Sequence, residues 1–219
     1  MLDIPAYTIT EAARYLKLAP ATLRSWFMGR SYPKRDGPGY FEPLLQFADP
    51  EQRLLSFTNL VEAYVLRALR QNHNVSITAL RTALNYAEQE LKISRLLMKH
   101  DLLTVAGDLF LQYYGHLINL SQSGQMAMRK VLEAYLARVE WDMELPSRLY
   151  PYVVGIDTQK VIAIDPAIGF GRPVLINKGI STAVIVDRID AGESVETLAE
   201  DYDLKPDEIE MAIVYECAA

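Results

Sequence analysis

Six cations stand between Glu11 and Asp36 with no acid among them: Arg14, Lys17, Arg24, Arg30, Lys34 and Arg35. Cations at that density neutralise phosphates, and an arginine can also present two parallel N–H donors to the O6 and N7 of guanine. Thr22 and Ser25 flank Arg24 with short hydroxyls that suit phosphate oxygens or base edges. Tyr32 and Tyr40 lie among or just after the later cations. Thr10, Ala21, Thr22, Arg24, Ser25, Arg30, Lys34 and Arg35 are the candidate contacts to a polyanion.

Residues that could catalyse do not assemble in the same way. His73, His100 and His116 are scattered, and Cys217, the single cysteine, has no second thiolate with which to bind zinc. Gly169-Phe170-Gly171 resembles a fragment of a phosphate loop, but Arg172-Pro173 and a strand-like run follow it. A helix N-terminus, which such loops need, is not offered there. The acids after Gly192 read as a solvated face instead of an acid–base pair. No metal, cofactor or enzymatic activity is expected.

The cations need elements to hold them. Ile9, Ala12, Ala13 and Leu16 share one face of a helix that Thr8 or Thr10 can cap. Lys17-Leu18-Ala19 breaks it, and Pro20 suits the first position of a second helix that turns Leu23 and Trp26 inward. Ala21, Thr22, Arg24 and Ser25 are then outward-facing, as in the second helix of a helix-turn-helix. Ala19 stands where a serine or aspartate cap is usual. A Pro/Gly-rich stretch follows, and LLQF and LLSF around Asp49-Pro50 predict a hairpin, or wing.

Two helices are expected next, one with Leu60, Val61, Tyr64, Val65, Ala68 and Leu69 inward. The other carries a seam of Ile77, Leu80, Leu84, Ala87 and Leu91 that suits packing on another helix of the same chain, with a dimer seam as the less favoured alternative. LLTVAGDLFLQYY predicts a hairpin turning at Ala106-Gly107-Asp108, and a helix is expected from about Met126 to Val139. Glu144 to Gln159 is a candidate domain boundary. VIAIDPAIGFGRPVLI predicts two short strands, followed by helices near 182–191, 195–202 and 206–217. The fold class is mainly α with small β-hairpins (α+β). Its expected units are residues 1–99, a connecting segment at 100–155, and 156–219.

The whole chain has 219 residues, half of them hydrophobic, enough for a substantial core. Its net charge of −6 conceals an asymmetry. Residues 1–100 hold 13 Lys and Arg against 9 Asp and Glu, whereas residues 101–219 hold 9 against 19. One end therefore suits a polyanion and the other a different partner. The N-terminus lacks a basic-then-apolar leader, and Leu109–Met128 is too polar to span a membrane. A cytoplasmic protein is expected.

YTITEAARYLKLAPATLRSW and LLSFTNLVEAYVLRALR resemble the MerR-type winged helix-turn-helix over about residues 5–91. The loop at 30–43 is longer than in that family, and Trp26 replaces its usual tyrosine. The resemblance implies DNA binding. The C-terminal run carries Asp165-Pro166, Gly171-Arg172-Pro173, Gly179-Ile180, Ala191-Gly192-Glu193-Ser194 and Ala199-Glu200-Asp201-Tyr202. It resembles a small domain of unknown function common in bacterial antitoxins, although Asn177-Lys178 and Ser181 depart from its usual pattern. LINLSQSGQMAMRKVLEAYLARVEWD and the following LYP look like the two-domain VapB-type antitoxins. That resemblance implies a dimeric autorepressor of its own operator whose partner is a PIN-domain ribonuclease with clustered carboxylates. It makes Arg172 and Lys178 the cationic candidates for toxin contact, the preferred alternative for Arg172 being a structural hydrogen-bonder within the Gly171-Arg172-Pro173 turn. The rival expectation is a stand-alone MerR-like regulator sensing a small molecule between its helices.

Overall fold

The computed structural model describes residues 2–34, 37–71, 77–98, 102, 105–119, 121–151 and 160–218. Helix α1 spans Ile9–Leu16 and starts on a capping box. The Glu11 N–H donates to Thr8 Oγ1 at 3.2 Å, and the Thr8 N–H donates back to Glu11 Oε2 at 2.9 Å. Lys17 ends the helix in the left-handed region, at φ 53°. Helix α2, Pro20–Met28, follows directly, with Ala19 at its N-cap providing no side-chain hydrogen bond.

The hairpin forms earlier than expected. Strands β1 (Arg30–Lys34) and β2 (Gly37–Phe41) pair antiparallel within the Pro/Gly-rich stretch. Tyr32 stacks on Phe41 at 4.1 Å, and Gly39 leaves room for the Tyr32 ring where a Cβ would collide with it. LLQF and LLSF form no regular ladder. They bracket a tight turn joined by single bridges, Asp49 to Leu54 and Tyr7 to Leu55, with the Gln52 N–H donating to Asp49 Oδ1 at 2.9 Å.

Helices α3 (Phe57–Gln71) and α4 (Ile77–Gln89) occupy the expected places, and α4 packs on the next helix of the same chain. That helix, α5 (Val105–Leu117), replaces the hairpin expected over LLTVAGDLFLQYY. Phe110, Leu111 and Tyr114 are buried at helical spacing, and Asp108 lies in the first turn, where its charge meets the helix dipole. Helix α6 is Gln122–Leu136, capped by Ser121, and ends short of Val139. Val139–Asp142 (β3) and Leu145–Leu149 (β4) instead make a hairpin that the sequence reading placed partly in a boundary. The remainder of that boundary, 152–159, lies outside the described residues.

Strands β5 (Ile162–Ala163), β6 (Val174–Leu175) and β7 (Ile180–Ser181) form a small antiparallel sheet in that order. Helices α7 (Thr182–Asp190), α8 (Val195–Tyr202) and α9 (Pro206–Cys217) cover it. The fold is mainly α with small antiparallel hairpins, as expected. One core joins α1–α6 with Val139, Leu149 and Ile164, and a second joins Ile162, Leu175, Ile185, Leu198, Ile209 and Tyr215.

Candidate nucleic-acid interface

On α2, Leu23, Trp26 and Phe27 are buried, which turns Ala21 and Arg24 fully outward and leaves Thr22 and Ser25 half-buried. Ser25 Oγ donates to the Thr22 carbonyl at 2.7 Å, so its proton is committed and its oxygen remains as an acceptor. Arg30 is exposed at the start of β1, directly after α2. The Tyr40 hydroxyl donates to the Met28 carbonyl, which ties β2 to the end of α2. Thr10 is exposed in the first turn of α1. Lys34 ends β1, while Arg35 lies outside the described residues, as do His73 and His100.

Lys17 is withdrawn from this surface. Its ammonium sits 3.9 Å above the Tyr215 ring of α9. Burial there, aided by the Arg14 charge and opposed by Glu216, holds it below the ordinary lysine range. Arg53 has the opposite fate and was not among the sequence candidates. It is exposed, at φ 56°, in the turn after Asp49. That turn adjoins Leu55, which pairs with Tyr7 just before α1. The Asp49-Pro50 turn signal two residues upstream of Gln52-Arg53 could have revealed it.

The end of α1 is held by other elements. Its last carbonyls have no partner within the helix. The Tyr15 carbonyl accepts from the Tyr215 hydroxyl at 2.7 Å, and the Leu16 carbonyl accepts from Arg67 Nη1 of α3 at 2.6 Å. The turn between α1 and α2 is thus fixed from two sides.

The C-terminal candidates separate. Lys178 pairs with Asp203 at 2.7 Å. Arg172 is exposed, and its charge contributes, after the Thr8 N–H and the other Thr8 and Arg14 effects, to holding the Glu11 carboxyl below its ordinary range. Glu196, Glu200, Asp201, Asp203, Asp207 and Glu210 are exposed along α8 and α9, a surface that phosphates would avoid. Among the described residues, no three His, Cys, Asp or Glu side chains are grouped to hold a metal ion. No described helix is long and apolar enough to cross a membrane.

A cleft of about 680 Å³ lies beside α3 and α4, lined by Leu44, Phe47, Asn59, Glu62, Leu84 and Arg95 among others. Three of its polar side chains, Glu62, Asn59 and Arg95, are joined by hydrogen bonds. The Glu62 carboxylate accepts from Arg95 Nε and Nη2, each at 3.0 Å, and from Asn59 Nδ2 at 2.9 Å. Asn59 Oδ1 in turn accepts from the Ala48 and Ser56 N–H groups, each at 3.1 Å.

Residues 5–84 match a family described as "Putative DNA-binding HTH domain", and residues 162–215 match "Protein of unknown function (DUF433)". The chain is 26% identical to "Putative antitoxin VapB45" of Mycobacterium tuberculosis, across 96% of this chain and 93% of that protein. It is also 26% identical to "Uncharacterized protein Rv2308" of the same organism, across 98% of this chain and 91% of that one. The crystal structure of Rv2018 from M. tuberculosis shares the fold, with a TM-score of 0.69 at 24% identity, covering 97% of this chain and 99% of that one. The chain therefore joins a segment similar to the "Putative DNA-binding HTH domain" family to a DUF433-like unit, and its similarity to the protein named "Putative antitoxin VapB45" runs through both.

Proposed function

We propose that this chain is the antitoxin of a toxin–antitoxin pair. It binds its own operator through α2 and neutralises a PIN-domain ribonuclease through its C-terminal unit. Residues 1–99 act as the MerR-like reader, 100–155 connect, and 156–219 meet the toxin. A symmetric dimer would bring two α2 helices to two half-sites of the operator. The observation that carries the reading is the separation of charge on the folded surface. Arg24, Arg30 and Arg53 are exposed in the helix-turn-helix segment, while exposed carboxylates cover α8 and α9. The similarity, across 96% of this chain, to the protein named "Putative antitoxin VapB45" supports the same reading.

The cleft beside α3 is the feature that would favour the rival, a MerR-like sensor of a small molecule. Its Glu62, Asn59 and Arg95 are already engaged with each other, so a ligand that used these three would have to break that network. The antitoxin reading is therefore preferred. Its test is co-purification of the tagged chain expressed from its own chromosomal fragment. A stoichiometric partner that cuts RNA only once separated, together with binding of the upstream DNA, is the expected result. Recovery of the chain alone or with DNA only would transfer the assignment to a stand-alone regulator.

A further inference from the structure

Between β5 and β6 the backbone takes three consecutive left-handed residues: Gly169 at φ 58°, Phe170 at φ 56° and Gly171 at φ 74°. Glycine adopts this region freely, but a phenylalanine there is strained, and such strain persists only where the surroundings over-determine it. They do so here. Asp165 is buried at the base of the turn, paired with Arg148 at 2.8 Å, and accepts the Ala167 N–H at 2.8 Å. Gly171 packs so closely on the Tyr7 hydroxyl that any Cβ would collide with it. The Ile168, Gly171 and Arg172 N–H groups close the turn onto the carbonyls of Asp165, Ile168 and Gly169.

All this structure holds the Phe170 ring in solvent, 93% exposed. The ring serves neither core. Two residues on, Arg172 is exposed and forms no ion pair among the described residues. Aromatic and arginine side chains on a rigid support are the residue types that dominate protein interfaces, because little conformational freedom is lost when they dock.

We propose that the Gly169–Arg172 turn is a preformed docking knob for the protein partner, an inference that rests on the antitoxin reading. Phe170 enters an apolar pocket of the partner, and Arg172 meets a carboxylate at its rim. Charge sets the orientation. Exposed carboxylates cover α8 and α9, so an acidic partner surface is repelled there and accepted beside Arg172.

The test uses the full chain and the purified protein encoded by the adjoining gene. Phe170→Gly suits the left-handed backbone and should leave the thermal midpoint no lower than that of the wild type. It should weaken partner binding by about 30-fold or more, as loss of an interface anchor does. Arg172→Ala should weaken it about tenfold, with the loss shrinking as salt is raised. Equal binding by wild type and Phe170→Gly overturns the knob and leaves the antitoxin reading intact. Failure of the neighbour to bind wild type overturns the antitoxin reading, and the knob with it. Loss of operator affinity by Phe170→Gly with partner binding unchanged also overturns the proposal, by assigning the ring to DNA.

Discussion

Replacing Tyr215 with phenylalanine tests how the two ends of the chain are joined. The variant keeps the buried ring beneath the Lys17 ammonium and removes one oxygen. That oxygen supplies the 2.7 Å hydrogen bond to the Tyr15 carbonyl, a group at the end of α1 that the helix itself cannot satisfy. A buried acceptor left without a partner costs about 1–3 kcal/mol. In a chain of 219 residues, about 2 kcal/mol lowers the thermal midpoint by roughly 4–8 °C. Tyr215→Ala also opens a cavity and strips Lys17 of its ring, which raises the expected cost to about 3–5 kcal/mol. Urea unfolding followed by tryptophan emission is a suitable assay, since Trp26 is buried in the first core and reports on α2. The expected order is wild type, Tyr215→Phe, Tyr215→Ala. A Tyr215→Phe value within about 0.5 kcal/mol of wild type, the range of ordinary surface changes, would refute the bond as a structural fastening.

Four other substitutions address the helix-turn-helix segment and its supports. Arg24→Ala should cost about 1–3 kcal/mol of operator affinity at one base position, whereas Arg53→Ala should weaken all sequences alike and reduce the salt slope by about one, both read by gel shift across a salt series. Glu11 should give a pH signature. The Thr8 N–H, foremost, holds its carboxyl below the ordinary 4.5, so the stability it contributes is complete above about pH 4.5 and fades as pH falls through the lower folded value. Glu11→Gln should flatten that limb of the stability–pH curve. Arg95→Met should cost about 1–3 kcal/mol in denaturation, because the Glu62 side chain, 6% exposed, loses both of its arginine hydrogen bonds and keeps that from Asn59.

The reader was legible because its signals are local. The Thr8–Glu11 cap, the left-handed break at Lys17 and Pro20 at the start of α2 all act within a turn of the helix they shape. The burial of Leu23 and Trp26 then decides which of their neighbours face out. Elements decided by distant packing were misread. The LLTVAGDLFLQYY stretch alternates well enough for a hairpin, and only the company of α4 and α6 makes it α5. The β1–β2 ladder was missed for a related reason, since Pro33 facing Pro38 gives no local strand signal and the stacking of Tyr32 on Phe41 replaces it. Lys17 shows the limit most sharply. Nothing near it in the sequence separates it from the other cations of its run, yet a tyrosine 198 positions later removes it from the surface.

That same fastening has a consequence for synthesis. The bond between Tyr15 and Tyr215 closes a loop of 200 residues, so it belongs to the slowest class of contacts, those of high sequence separation. A nascent chain can form the α1–α2 hairpin early, but the far clasp of that hairpin does not exist until residue 215 has been made. Newly made copies therefore pass through a stage in which α1 and α2 are packed on α3 but, of the two outside hydrogen bonds to the end of α1, only that from Arg67 is in place. Any fragment ending before α9 would persist in that stage, and proteases, which sample such open states, would meet it there.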